Sequence, residues 1–250
     1  MPNKQISIKT QLILFLVILF AFLSIKDRDL AFLFVTLISL VSVVFLDLFL
    51  SYFKNRKFSV SESSIISGLI ISFVLSSDSY WWVIVLTAVF AILSKHFILV
   101  NKKHIFNPAG FGIFLSIVFF GANTQWKGTY LWYVFVPFGF YFVYKIRKIG
   151  LIISYFITAI ILFGTQAIMN REGLINIFGF FSYFYIFIML IEPKTTPIKT
   201  FGKIVFGACV AGLIFIFTQI GVRFDAELAA LLILNILLPV INKIPERRLK

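Results

Sequence analysis

Two short polar stretches interrupt an otherwise apolar chain, and both carry residue types that could bind a ligand. The first, Lys102 to Gly112 (KKHIFNPAGFG), contains two lysines, a histidine, an Asn-Pro pair and two glycines. Pro108 lacks an N–H group and suits the first turn of a helix, while Asn107 before it is a favoured cap. A helix start carries partial positive charge and unpaired N–H groups. With Lys103 and His104 beside it, this one could hold an anion or an electron-rich ring.

Two interpretations of this first stretch stay open. In the ligand interpretation, Gly110 and Gly112 lack side chains so that a ring or another backbone can come close. In the simpler interpretation, the stretch is a capped helix start whose lysines reach the phosphates of lipid headgroups.

The second stretch, Glu192 to Pro197 (EPKTTP), ends one apolar run and leads into the next. The proline after Glu192 forces that residue out of helical geometry, and the Thr-Pro end of the stretch repeats the cap-then-proline pattern. Lys194 offers Glu192 an ion pair across a tight turn. Alternatively, the Glu192 carboxylate and the hydroxyls of Thr195 and Thr196 line a polar pocket, because a carboxylate at a membrane helix end is costly unless it is used or paired.

Two further polar residues lie inside apolar runs. Asp47 is the only acidic residue well inside such a run. It could reach the membrane surface and pair with Lys54 or Lys57, and otherwise it is a ligand for a cation or a proton. Asn235, in the last apolar run, could be a hydrogen-bonding contact between helices or a donor in a pocket.

The sequence predicts no catalytic constellation and no metal site. His96 and His104 have no acidic partner at metal-ligand spacing, and no Gly-rich phosphate-binding loop is present. Cys209 is the only cysteine. A disulfide framework and a cysteine-ligated metal or iron–sulfur site within this chain are therefore excluded.

Membrane helices must position these residues, because 60% of the 250 residues are hydrophobic and only 13% are charged. Soluble domains are about one-quarter charged, and a helix needs about 20 apolar residues to cross about 30 Å of hydrocarbon. The apolar runs predict ten spans. They cover about residues 11–25, 30–53, 64–76, 80–94, 108–121, 130–144, 149–169, 173–191, 203–222 and 226–241.

The distribution of basic residues orients these spans, because basic loops are retained in the cytoplasm. With the N-terminus inside, 18 of the 23 Lys and Arg residues fall on the cytoplasmic side. Residues 1–10 are then a cytoplasmic tail and residues 243–250 a basic cytoplasmic tail of a single integral membrane domain, residues 1–250, in the plasma membrane. The net charge of +13 is explained by this topology and by anionic lipid, with no nucleic-acid partner.

Ten spans divide into two sets of five. Because each set has an odd number of spans, the second set has the opposite orientation in the membrane if the two sets share a fold. The third span is short and the eighth ends at Glu192, which are matching positions in two such halves. Short or interrupted segments at matching positions indicate a site near the repeat interface. The predicted fold is an all-α polytopic membrane protein with about ten transmembrane helices in two inverted five-helix halves.

Five stretches, in order, resemble a known family, the NQR2/RnfD-like family. Its members are membrane subunits of the Rnf electron-transport complex and of the sodium-pumping NADH:quinone oxidoreductase. The resemblance covers roughly residues 30–245, and its most specific part is Phe-Asn-Pro-Ala followed by acidic-Pro-x-Thr. The stretches are SGLIISFVLSSDSYWWVIVLTAVFAILSKH, HIFNPAGFG, EPKTTP, KIVFGACVAGLI and FDAELAALLILNILLPVIN.

The resemblance implies a bound flavin, FMN or riboflavin, and electron transfer within an ion-translocating complex of the cell inner membrane. It implies a subunit that is not catalytic alone, and it implies other membrane and soluble subunits as partners, because this chain has no electron-donor module. The expected flavin-site residues are Lys103, His104, Asn107, Pro108, Gly110, Glu192, Lys194, Thr195 and Thr196.

The chain departs from this family in one loop. The family carries a Gly-Ala-Thr-like motif whose threonine is linked to FMN through the phosphate, and this chain has no Ala-Thr dipeptide. Thr124 lies on the expected outer side, in the sequence Gly-Ala-Asn-Thr, and is the one candidate for such a link. The expected flavin is therefore non-covalent.

Two other functions stay open. The first is a small-solute channel or transporter, because inverted halves with interrupted helices also form permeation paths, and the family's fold is similar to that of urea transporters. A pore needs a continuous polar lining, whereas the spans offer mainly Asn235, Thr87 and scattered serines. The second is a structural or assembly subunit without a cofactor.

Overall fold

The computed structural model describes residues 6–56, 60–100, 103–171, 173, 178–179 and 181–245, and this part of the chain is mostly helical. A π-helix covers Tyr185–Met189, and two-residue strands, β1 (Leu99–Val100) and β2 (Lys103–His104), precede α5. The α-helices are α1 (Ile8–Asp27), α2 (Leu30–Asn55), α3 (Glu62–Val74), α4 (Trp81–Phe97), α5 (Pro108–Phe120), α6 (Trp132–Lys145), α7 (Ile149–Met169), α8 (Thr200–Ile220) and α9 (Ala226–Ile241).

Within the described residues, nine of the ten predicted spans coincide with an α-helix to within a few residues. The predicted eighth span, residues 173–191, lies partly outside the described residues, and its described end is the π-helix. Helices α1, α2, α7 and α8 are long and apolar enough to cross a membrane. The outermost residues of both predicted tails, together with Lys57 and Lys102, lie outside the described residues.

The chain divides into two compact units. The first unit comprises Met1–Leu99 and Pro108–Gly128, and so contains α1 to α5. The second comprises Val100–Asn107 and Thr129–Lys250, and so contains α6 to α9 and the π-helix.

In the first unit, α3 is too short to cross a bilayer alone. Its 13 residues extend about 20 Å, against about 30 Å of hydrocarbon. The loop after α5 is hydrogen-bonded to the C-terminal end of α3: Lys127 N donates to Phe73 O at 2.6 Å, and Gln125 N donates to Val74 O at 2.8 Å. Backbone groups at membrane depth must be paired within the protein, so this loop completes the short helix.

In the second unit, α7 and α8 pack backbone to backbone at Gly207. A Cβ atom added at Gly207 would clash with Leu151 O and with the Ser154 hydroxyl. The small residues of α8 thus form a packing face at this point, as small-xxx-small patterns do in membranes. Gly212, five residues on, has no atom near its missing Cβ, so the packing face does not extend to it.

Candidate functional site

The two polar stretches meet in the second unit. His104 ends strand β2 and is buried, and Glu192 follows the π-helix where the next proline stops the helix. His104 Nε2 and Glu192 Oε1 lie 3.1 Å apart, and the Glu192 side chain is 21% exposed. The simpler interpretation, a Glu192–Lys194 pair, is not what the structure has: Lys194 is exposed, and Glu192 pairs with a residue 88 positions away.

Asn235 of α9 joins the same two stretches a second time. Its Oδ1 accepts a hydrogen bond from Asn107 N at 3.1 Å, and its Nδ2 donates to Thr195 O at 3.0 Å. The residue is 0% exposed. One side-chain amide therefore bonds a backbone donor of the first polar stretch and a backbone acceptor of the second. This holds both stretches against α9, because buried backbone groups are costly to leave unpaired.

A third connection comes from Lys148, just before α7. Its Nζ donates to Thr196 Oγ1 and, at 3.0 Å, to Pro197 O. Thr196 Oγ1 in turn donates to Glu192 O at 2.8 Å. Sequence reasoning missed Lys148, because a lysine at the cytoplasmic end of a span is an ordinary topology signal.

Together these groups form one set, which we call the polar network and which is buried except for the partly exposed Glu192. It links strand β2, the turn before α8, α9 and the α6–α7 loop, and it carries an imidazole, a carboxylate, an ammonium group, hydroxyls and amides. A buried polar network holds its residues in one arrangement when every group has a hydrogen-bond partner, because any arrangement that leaves a buried polar group without a partner is destabilised. Its members are His104, Asn107, Lys148, Glu192, Thr195, Thr196 and Asn235.

Burial sets the protonation behaviour of Lys148. The side chain is almost inaccessible, and burial, helped by the charge of Lys203, lowers the pKa of Lys148 from 10.5 to about 8. Loss of water disfavours the charged form of an amine. Lys148 is therefore the amine of this network that can change charge near neutral pH.

Raising the pH from 8 to 10.5 is expected to increase the free energy of unfolding by about 3 kcal/mol through Lys148 alone. The folded pKa lies below the unfolded value, so between about 8 and 10.5 the unfolded chain binds more protons, and stability rises with pH. Unfolding of the purified chain in detergent, followed across this window, measures the effect. Lys148→Met should lose this rise and exposed Lys194→Met should keep it. Parallel curves for Lys148→Met and wild type would contradict the assignment.

The other predicted flavin-site residues have different placements. Lys103 and Lys194 have exposed side chains, and each is adjacent in sequence to a member of the polar network. Pro108 begins α5, as predicted, and Gly110 lies in its first turn, so both belong to the first unit. Within the part of the chain that the structure describes, no group of three potential metal ligands is found.

Thr124 and Asp47, the remaining predicted ligands, also lie in the first unit. Thr124 is half-buried in the loop after α5 and forms an antiparallel bridge with Leu75. Asp47 is buried in α2 and contacts Lys95 and His96 of α4 at 2.8 Å each. The predicted pairing of Asp47 with Lys54 was wrong, because a lysine on another helix takes that place, and Lys57, the other lysine considered, lies outside the described residues.

The long apolar helices and the buried polar network define a multi-pass helical membrane protein. Comparison with known families gives the group: the chain matches the NQR2, RnfD, RnfE family over residues 2–134 and 138–250 and belongs to it. A relative from Tolumonas auensis, a subunit of an ion-translocating oxidoreductase complex, is 37% identical over 62 residues. That stretch is 25% of this chain and 18% of the relative. The resemblance inferred from the motifs is confirmed.

Proposed function

We propose that this chain is a membrane subunit of an ion-translocating oxidoreductase complex and passes electrons through a flavin held at the polar network. Membership of the NQR2, RnfD, RnfE family supports the proposal. The name of the Tolumonas auensis relative, a subunit of an ion-translocating oxidoreductase complex, supports it as well. The partners proposed are the other membrane and soluble subunits of such a complex, because the relative's name describes it as one subunit of a complex.

The proposed topology is ten spans in two inverted halves within the plasma membrane, with both termini cytoplasmic. The division of the chain into two compact units supports the two halves. The first unit supplies five helices, and the second supplies four plus the segment that ends in the π-helix. Retention of 18 of the 23 basic residues on one side supports the orientation.

The observation that carries the flavin proposal is the meeting of the two polar stretches at His104–Glu192 and at Asn107–Asn235–Thr195. Had these stretches been far apart, they could not serve one ligand. Instead, an imidazole, a carboxylate, an ammonium group and hydroxyls converge in an otherwise apolar bundle, and a few convergent polar groups of this kind fix the orientation of a ligand in small-molecule sites.

We place the proposed flavin at the edge of the network, where polar side chains are accessible. The deep groups bond one another: the Asn107 N–H and the Thr195 carbonyl both bond Asn235. These groups are held rigidly by these bonds and are not themselves available to bond the flavin. The groups within reach of a ring system are the partly exposed Glu192 carboxylate and the exposed Lys103 and Lys194. A carboxylate can accept from a ring N–H, and the two ammonium groups can bond ring oxygens or a phosphate.

The flavin supplies the redox chemistry when bound, and the chain supplies position and electrostatics. His104 Nε2–H donates a hydrogen bond to the Glu192 carboxylate at Oε1, which fixes the orientation of the carboxylate. Thr195 Oγ1 approaches the second carboxylate oxygen at 3.5 Å. The flavin is proposed to be non-covalent, since Thr124 lacks the Ala-Thr context.

Removing the Glu192 carboxylate is expected to weaken flavin binding about tenfold or more, because a charge-assisted hydrogen bond contributes about 1.5–3 kcal/mol. The purified full chain, stripped of flavin, is titrated with riboflavin or FMN while flavin fluorescence is followed. Glu192→Gln should bind more weakly than wild type. Glu62→Gln, a carboxylate of the first unit, is the matched control and should bind as wild type does. Equal affinity of all three proteins would contradict the proposed site, and uptake of a small solute by liposomes carrying this chain alone would favour a channel.

A further inference from the structure

A second buried polar cluster, which we call the Asp47 cluster, lies in the first unit and is not part of the polar network. It joins Asp47 of α2, Ser61 and Ser64 at the start of α3, and Lys95 and His96 in the last turn of α4. Asp47 is 1% exposed and Ser64 is fully buried. Three helices therefore contribute to one charged centre inside the unit.

The Lys95 ammonium group sits among three oxygen atoms. Nζ donates to Asp47 Oδ1 at 2.8 Å, to Ser61 Oγ at 2.6 Å and to Ser64 Oγ at 2.7 Å. An ammonium group has three N–H donors and no acceptor. Each donor has an oxygen partner, so the surroundings match a compact positive charge.

The oxygen atoms are themselves held in place. Ser61 Oγ donates to Asp47 Oδ2 at 3.0 Å and lies 2.8 Å from Ser64 Oγ. His96 Nε2 lies 2.8 Å from Asp47 Oδ1. A carboxylate oxygen and two hydroxyl oxygens, fixed around one point, are also the ligands that hard metal cations prefer.

We propose that the Asp47 cluster is a site for a monovalent cation, that its occupant is the chain's own Lys95 ammonium group, and that Na⁺ takes this place when the lysine charge is removed. An isolated buried carboxylate is costly, so Asp47 needs one positive charge beside it. Lys95 provides that charge on a flexible stem, as a compact point charge. Asp47, for which the sequence left a cation-ligand role open, is therefore closed to Na⁺ while Lys95 is bound. The proposal concerns the first unit and does not depend on flavin binding.

The test is the salt dependence of thermal unfolding of the purified full chain in detergent. Each protein is heated in NaCl and in choline chloride at equal ionic strength. Wild type should unfold at the same temperature in both salts. Lys95→Met should unfold about 2–4 °C higher in NaCl, the shift that a ligand contribution of about 1 kcal/mol gives for a chain of this size. The shift should saturate with Na⁺ concentration.

Two controls make the result specific to this site. The double variant Lys95→Met/Asp47→Asn should lose the response to Na⁺, and Lys54→Met, which removes an exposed lysine near His96, should never acquire it. If Lys95→Met does not fold in either salt, Lys95→Gln replaces it, since its amide can still donate to Asp47. The proposal is overturned if the folded Lys95 variant shows no response to Na⁺, or if wild type shows a response that Asp47→Asn abolishes.

Discussion

Replacing Asn235 by leucine is expected to destabilise the folded chain by about 2–6 kcal/mol and to abolish flavin binding. The side chain is 0% exposed and bonds Asn107 N and Thr195 O. Leucine fills a similar volume but leaves one buried donor and one buried acceptor without partners, and each costs about 1–3 kcal/mol. The free energy of unfolding in detergent and flavin binding to the protein that remains folded measure the two effects.

The matched control is Asn242→Leu, at the end of the same helix. Asn242 Oδ1 also accepts a backbone hydrogen bond, from Ile198 N at 3.1 Å, but at an exposed position. Water can replace that bond, so the expected cost is below about 1 kcal/mol. Similar losses for the two variants would show that Asn235 does not fix the two polar stretches in the way the geometry indicates.

Replacing Gly207 by alanine is expected to destabilise the chain by about 1–3 kcal/mol or more, because the added methyl group meets backbone. The clashing atoms are Leu151 O and the Ser154 hydroxyl on α7, and a helix carbonyl cannot rotate away. Thermal unfolding in detergent measures the loss, together with the fraction of chain that elutes as a monodisperse species.

Gly212→Ala serves as the control on the same helix and has no heavy atom within 4 Å of the new Cβ. It should match wild type to within about 1 kcal/mol, since only the helix propensity changes. A Gly212→Ala variant as unstable as Gly207→Ala would mean that α8 tolerates no substitution anywhere, and the assigned backbone contact would lose its support.

The helix boundaries were predictable from local rules, and most long-range partners were not. Pro108 begins α5 and Glu192 follows the end of a helix, as proline stereochemistry requires. The π-helix before Glu192 left no signal in the apolar run, because its difference from an α-helix lies in hydrogen bonding and not in residue type.

Side-chain partners depend on how helices pack, and one sequence does not show that. The sequence offered Lys54 or Lys57, both close to Asp47 along the chain, as its partner, whereas the structure pairs Asp47 with Lys95 of α4. Lys148 was interpreted only as a charge that orients a span, and it proved to be buried in the polar network. The residue types of the candidate site were therefore predictable, while its closing contacts needed the fold.

Flavin binding by this chain is tested most directly by the absorption spectrum of the full chain as purified in a mild detergent, before and after denaturation. We expect a flavin spectrum at roughly one flavin per chain, with the chromophore leaving the protein on denaturation, since it is held by position and hydrogen bonds. A chain that is folded yet colourless, and that takes up no added flavin, would contradict this expectation.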